Sequence, residues 1–319
     1  MPVHNAQQFL CETLDSILSQ TISDWELLIV DDFSNDKSAE LISAYCNRDK
    51  RIKLLYNVDK GIISALSLAF SQSKGEFITR MDADDLMPVN KLKKLVEIAK
   101  VDYKTVATGF VKYFSDELVS DGYLRYENWL NEIALENKFN ENVYRECVVA
   151  SPNWMVHRSC FDNEIFFNEL SYPEDYNLVL KWYNSGYEIR GVGEVTHLWR
   201  EHPARTSRNS EIYQQKSFFE LKTKHFIDRE IKEGEVVQLI GFNQKGKLVD
   251  SIFRKKNLPL KIFEFNSNLK NQKYQDVMEI NNSFKTILTN WPADTHTQNE
   301  IKHFLRSRGF EFGKNIWLF

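Results

Sequence analysis

Residues Glu76–Pro88, EFITRMDADDLMP, pass from a short apolar run into three aspartates within four positions, then into an amphipathic segment. EFITRM has the composition of a strand. Pro88 suits the first turn of a helix whose apolar positions Val89, Leu92, Leu95, Val96 and Ala99 keep helical spacing, and TVATGFVKYF then returns as a strand. The acids therefore fall at the carboxyl end of a strand, the edge at which open α/β sheets bind ligands. A lone DxD is equally a solvated acidic turn that helps to start a helix, so its surroundings must decide.

On the N-terminal side, Phe9, Leu10, Thr13, Leu14, Ile17 and Leu18 of NAQQFLCETLDSILSQ form one helical stripe, predicting a helix over 5–20. WELLIVDD follows, a continuous apolar run that ends in two more acids. A helix with Leu41, Ile42 and Tyr45, a strand IKLLY and a helix IISALSLAF lead back to EFITRM. Strands alternating with helices predict a mostly parallel sheet flanked by helices, with Val30–Asp32 and Met81–Asp85 converging on one crevice.

On the C-terminal side, residues 116–168 are aromatic and irregular, with a predicted helix around YENWLNEIALEN and a short strand WMVH; they read as an insertion that shapes a pocket. SYPEDYNLVLKWYNSGYEIRGVG predicts a loop carrying Glu174 and Asp175, a helix, a glycine stop at Gly186 and a strand. A polar helix over about 209–233 precedes a second, smaller α/β pattern, with a boundary near Gly234.

The 319 residues are 42% hydrophobic and 27% charged, enough for one large or two moderate domains. A net charge of -4 supplies no basic footprint, which argues against a nucleic-acid partner. Cys11, Cys46, Cys147 and Cys160 have no paired spacing and read as reduced thiols. No apolar run approaches the roughly 18 residues of a membrane span. The expected location is the cytoplasm, with peripheral attachment to a membrane face compatible.

Aspartates meeting at one crevice are hard oxygen ligands for Mg2+ or Mn2+, which take one or two carboxylates together with substrate phosphates. A metal so held makes a nucleoside diphosphate a good leaving group. Asp32 is placed to accept hydrogen bonds from a base or ribose. If the diphosphate is displaced from a sugar carbon, the attacking hydroxyl needs a general base, for which Asp175 or Glu174 is the candidate.

These segments, in their order, resemble the family 2 glycosyltransferases over about the first 210 residues. MPVHNAQQFLCETLDSILSQT is similar to the family's opening, ELLIVDDFSNDKS to its VDDxSxD turn, and NVDKGIISALSLAFSQSKGEFITRMDADD to the approach to its DxD. PEDYNLVLKWYNSGYEI resembles its catalytic ED segment and REHPARTSR its closing loop. The resemblance implies a GT-A, nucleotide-diphosphosugar transferase fold over 1–208, a connecting helix over 209–233 and a small Rossmann-like α/β domain over 234–319.

It also implies roles. Pro2, His4, Asn5 and Asp32 would line the nucleoside pocket, with Lys60, Gly61 and Arg80 near the nucleotide. Asp82 would hold ribose or the water shell of a Mn2+ or Mg2+ ion, and Asp84 would ligate that ion. Arg200 would approach the diphosphate and His202 the metal when the loop closes. Asp175 would be the base of an inverting transfer from a nucleotide-sugar, a UDP-sugar by preference, to a glycan or lipid-linked acceptor in surface polysaccharide synthesis. Glu174 and Trp154 are candidate acceptor contacts, with core packing the alternative for Trp154.

The family's apolar first strand is expected here as a stub of two or three residues, or as starting upstream. Asn243 in GFNQKGK stands where a dinucleotide fingerprint needs its second glycine, so NAD binding is not expected. Phe263, Phe265, Trp291 and Trp317 are read as core, and the appended domain as an interaction module, a plausible homodimer surface. Two other readings are a non-catalytic nucleotide-binding scaffold and a nucleotidyltransferase; the latter should carry a glycine- and lysine-rich loop near its start, and none is visible.

Overall fold

Five consecutive buried residues, Leu27–Asp31, form strand β2, the centre of a parallel three-stranded sheet with β1 (Pro2–Val3) and β3 (Ile52–Tyr56). A run this apolar has no solvated face, as expected where helices cover both sides. Pro2 and Val3 lie opposite Val30 and Asp31, so β1 delivers His4 and Asn5 beside Asp32. Helices α1 (Leu10–Leu18), α2 (Ser38–Arg48) and α3 (Ile62–Gln72) connect or flank these strands. The computed structural model describes residues 1–116, 118–161, 171–203, 205, 215–264 and 275–319.

Helix α1 begins at Leu10 rather than near Asn5. The intervening residues are claimed by the β2–α2 loop: Asn5 N donates to Ser34 Oγ, Ala6 N to Ser38 Oγ and Gln7 N to Asp36 Oδ2, at 2.9 to 3.0 Å. These amides would otherwise be orphan donors at a helix start.

A second sheet has the order β4-β6-β5-β7, from β4 (Phe77–Thr79), β5 (Thr105–Phe114), β6 (Trp154–His157) and β7 (Glu188–Arg200). β5 and β7 run parallel, whereas β6 is antiparallel to both its neighbours. Helices α4 (Lys91–Ala99), α5 (Asp121–Glu136) and α7 (Glu174–Asn184) complete this unit, Met1–Asn137 with Val149–Ser210. A cavity of about 730 Å³ lies against both sheets, lined by residues such as Trp25, Leu28, Phe70, Phe77 and Trp154.

The second unit comprises Lys138–Val148 and Glu211–Phe319. It holds helix α6 (Phe139–Asn142), helix α8 (Gln215–Glu230) and a five-stranded parallel sheet ordered β10-β9-β8-β11-β12. Its strands are β8 (Val237–Ile240), β9 (Leu260–Glu264), β10 (Gln275–Asp276), β11 (Thr286–Leu288) and β12 (Ile316–Leu318), with helices α9 (Gln244–Lys255) and α10 (Thr295–Ser307). Of the four aromatics read as core, Phe263 and Trp317 are buried and Trp291 packs against the same cluster, while Phe265 lies outside the described residues. So do residues 209–214 of the polar helix and residues 204 and 206–208 of the closing loop. No helix among the described residues is long and apolar enough to cross a membrane.

Candidate functional site

At the carboxyl ends of β1 to β3, Asp32 organises the crevice. Its carboxylate accepts from Asn57 Nδ2 at 2.7 Å and from Gly61 N at 3.0 Å, while its carbonyl lies 2.7 Å from His4 Nδ1. Asn5 Nδ2 contacts the other ring nitrogen of His4 at 3.2 Å, and Asn5 Oδ1 accepts from Asn35 N. Gly61 has φ +127°, a conformation that a side chain would strain, and a Cβ there would stand 3.4 Å from the Tyr172 hydroxyl. Lys60 beside it is exposed. Pro2, His4, Asn5, Asp32 and Gly61 are thus brought together as the sequence predicts.

At the end of β4, Arg80 is buried and bridges two motifs. Its Nε donates to Asp82 Oδ1 at 2.8 Å and its Nη1 to Glu174 Oε1 at 3.2 Å. Burial works against the guanidinium charge, but Asp82 and Glu174 overcome it and its pKa lies above the ordinary value. In return Arg80 outweighs burial at Asp82 and holds that carboxyl below its usual range.

The Asp84 loop is pinned from several sides. Thr13 Oγ1 of α1 donates to Ala83 O at 3.0 Å, and Leu86 exchanges backbone hydrogen bonds with Leu198 of β7. Arg200, expected at the diphosphate, is 4% exposed: its Nε donates to Asp84 O at 2.7 Å, its Nη2 pairs with Glu12, and its guanidinium lies over the rings of Phe9 and Phe114. His202 Nε2 lies 2.9 Å from Asp84 Oδ2, with its ring against Phe9. Burial and the charges of Asp85 and Asp82 push the Asp84 carboxyl up.

Beneath this loop runs a buried chain that the sequence reading missed. Asp85 Oδ1 accepts from Arg200 N at 2.8 Å and its Oδ2 faces His197 Nε2 at 2.9 Å; His197 Nδ1 is 3.2 Å from Lys91 Nζ, which also donates to Pro152 O at 2.6 Å. Burial, then Asp82, raises the Asp85 carboxyl to about 7, and burial lowers Lys91 to about 7. Burial and Lys91 hold His197 well below its ordinary value, so it is neutral, with Nε2 donating to Asp85 and Nδ1 accepting from Lys91. Nothing in the spacing of a helix that also holds Lys93 and Lys94 marks Lys91 as buried. Only the third acid of DADD hinted at the chain.

Glu174 and Asp175 are the first two residues of α7 rather than loop residues. Glu174 is 2% exposed and committed to Arg80, which removes it from contact with an acceptor. Asp175 stays part-exposed; burial, then the Glu174 carboxylate, raises it to about 7 against the opposing charge of Arg80. Trp154 is 4% exposed in β6, packs on Trp182 and Phe161 and lines the cavity against the two sheets.

The donors here suit a divalent cation. Asp84 offers carboxylate oxygen in a locality with surplus negative charge, and His202 adds a nitrogen. Among the described residues no three acidic, histidine or cysteine side chains are close enough to hold an ion by themselves. That fits an ion whose shell is completed by phosphates and water.

The fold is that of GT-A glycosyltransferases. S. aureus TarS, solved as residues 1-349 with UDP-GlcNAc, superposes with a TM-score of 0.57 at 16% identity, covering 81% of this chain and 72% of that one. The mannosyltransferase PcManGT from Pyrobaculum calidifontis, solved with GDP-Man and Mn2+, gives 0.50 at 18% identity, over 72% and 63% of the two chains. At these identities the likeness concerns the fold.

The family model for glycosyl transferase family 2 matches residues 1–164, and the chain belongs to that family. EpsJ, an uncharacterized glycosyltransferase of Bacillus subtilis (strain 168), is 26% identical over 211 residues, 64% of this chain and 60% of EpsJ. Glycosyltransferase GlyG of Streptococcus pneumoniae serotype 4 is 26% identical over 211 residues, 63% of this chain and 69% of GlyG.

Proposed function

We propose that this protein is an inverting glycosyltransferase that moves a sugar from a nucleotide-diphosphate sugar, a UDP-sugar by preference, to a hydroxyl of a glycan or lipid-linked acceptor. The observation that carries the reading is Arg80, which ties the acids after β4 to the start of α7, 94 residues away, and so sets Asp175 beside the Asp82–Asp84 cluster. TarS, a structural neighbour solved with UDP-GlcNAc, supports a UDP-linked donor. A soluble nucleotide donor makes the cytoplasm, at a membrane face for a lipid-linked acceptor, the natural place of action.

In this reading His4, Asn5 and Asp32 receive the nucleoside, with Lys60 near its phosphates. Asp84 and His202 would hold Mn2+ or Mg2+ with Asp82 at its water shell, and the ion would supply neutralisation of the departing diphosphate. Arg200 holds Asp84 in place through the backbone carbonyl. Asp175 takes the proton of the acceptor hydroxyl as the new carbon–oxygen bond forms and the bond to the diphosphate breaks. A base with pKa near 7 is matched to this task at neutral pH.

Calorimetric titration of UDP and GDP, with and without Mn2+, into the protein and its Asp84→Asn variant tests the reading. Metal-dependent nucleotide binding that the variant loses supports it. No nucleotide binding under any of these conditions overturns it.

A further inference from the structure

The residue after Asp32 has a backbone that its side chain disfavours. Phe33 has φ +57°, a region in which a bulky aromatic is a genuine outlier. Such a conformation persists only when the surroundings over-determine it, and here they do. Ser34 N donates to Asp31 Oδ2, Asn5 N to Ser34 Oγ, Asn35 N to Asn5 Oδ1 and Lys37 N to Gln7 Oε1, at 2.8 to 3.3 Å. Asn5, the partner across the loop, is itself at φ +51°.

A glycine would hold this turn without strain, so the phenyl ring needs another reason. It does not serve the core: Phe33 is 53% exposed and has no ring contact among the described residues. It belongs instead to an apolar margin of the crevice. Tyr56, opposite Asp31 in the sheet, is 64% exposed, and Val58 is 73% exposed just after Asn57, the residue that holds the Asp32 carboxylate. Exposed apolar and aromatic side chains beside a polar floor are the combination that a nucleobase demands of its pocket: a π-face to stack on and hydrogen-bonding groups at its edge.

We infer that Phe33 is a nucleobase-stacking residue, its ring covering the base whose edge is read near His4, Asn5 and Asp32. The inference rests on the proposed use of a nucleoside-diphosphate donor. It extends that reading by giving base recognition an aromatic wall, with strain in the β2–α2 turn as its cost.

UDP and inorganic pyrophosphate, each with Mn2+, are titrated into the wild type and the Phe33→Gly, Phe33→Leu and Phe33→Tyr variants, and thermal melts are recorded for all four. Phe33→Gly should melt at or above the wild-type temperature, because it relieves the backbone. Both Phe33→Gly and Phe33→Leu should bind UDP about five- to tenfold more weakly and pyrophosphate unchanged, while Phe33→Tyr keeps wild-type UDP affinity. Wild-type UDP affinity in Phe33→Gly, or equal losses for UDP and pyrophosphate, overturns the stacking role and leaves the proposed function standing. A wild type that binds neither UDP nor GDP overturns both.

Discussion

Two acids separated by a single residue, Asp82 and Asp84, are driven in opposite directions because the Asp82 carboxylate pairs directly with Arg80, whereas burial and the charges of Asp85 and Asp82 prevail at Asp84. Asp175, next to the Glu174 that pairs with Arg80, is raised to about 7 by burial and then by the Glu174 carboxylate. A general base must be ionised to accept a proton, so activity should rise with pH through an apparent pKa near 7 and fall about tenfold per unit below it. Initial rates across pH 5.5 to 8.5 (roughly the range bracketing that value) would show the limb. Asp175→Asn should cut kcat by about 10²–10⁴ while donor affinity by calorimetry stays close to wild type. Lys91→Met should act differently, through stability. It leaves Pro152 O and His197 Nδ1 buried without their donor, at a cost of about 1–3 kcal/mol in urea unfolding.

Arg80 also works between elements, since it fastens the end of β4 to the first turn of α7. Removing one partner of a buried ion pair strands the other's charge. Arg80→Met should therefore lose about 3–5 kcal/mol, and Arg80→Met with Glu174→Leu should recover much of that in a double-mutant cycle. The strand ends that carry Asp32 and Asp82–Asp85 were legible because apolar runs and their terminal acids are local features. The antiparallel seating of β6 was not, since WMVH reads alike in either direction. Nor was the Lys91–His197–Asp85 chain, whose members lie 106 and 112 residues apart and meet only where α4 packs against β7. The start of α1 misled for a related reason: Asn5 to Gln7 bond to residues some 30 positions away, and no helical pattern reports that.

At the scale of the molecule, each of the two units has its own core, the first built on two sheets and the second on one. The composition breaks near Gly234, yet Lys138–Val148 groups with the second unit because the Tyr144 ring packs against Phe226 and Phe319. Aromatic contacts of that span leave no mark in a linear reading. Within the second unit the GFNQKG turn is closed: Asn243 Oδ1 accepts from Gly246 N, and a Cβ on Gly246 would stand 2.2 Å from Gly241 O. Gly246→Ala should lower stability by about 1–3 kcal/mol, followed through tryptophan fluorescence in denaturant.

Among the described residues each unit also carries one deeply buried lysine, Lys91 in the first and Lys222 in the second, with Lys222 Nζ donating to Arg145 O at 3.2 Å. Burial lowers both amines to about 7, and an opening that exposes them returns them to the reactivity of ordinary surface lysines. In the native state neither can meet an acylating reagent. Timed acylation read by peptide mass spectrometry would therefore use the two residues as separate clocks, Lys91 recording each opening of the first unit and Lys222 each opening of the second.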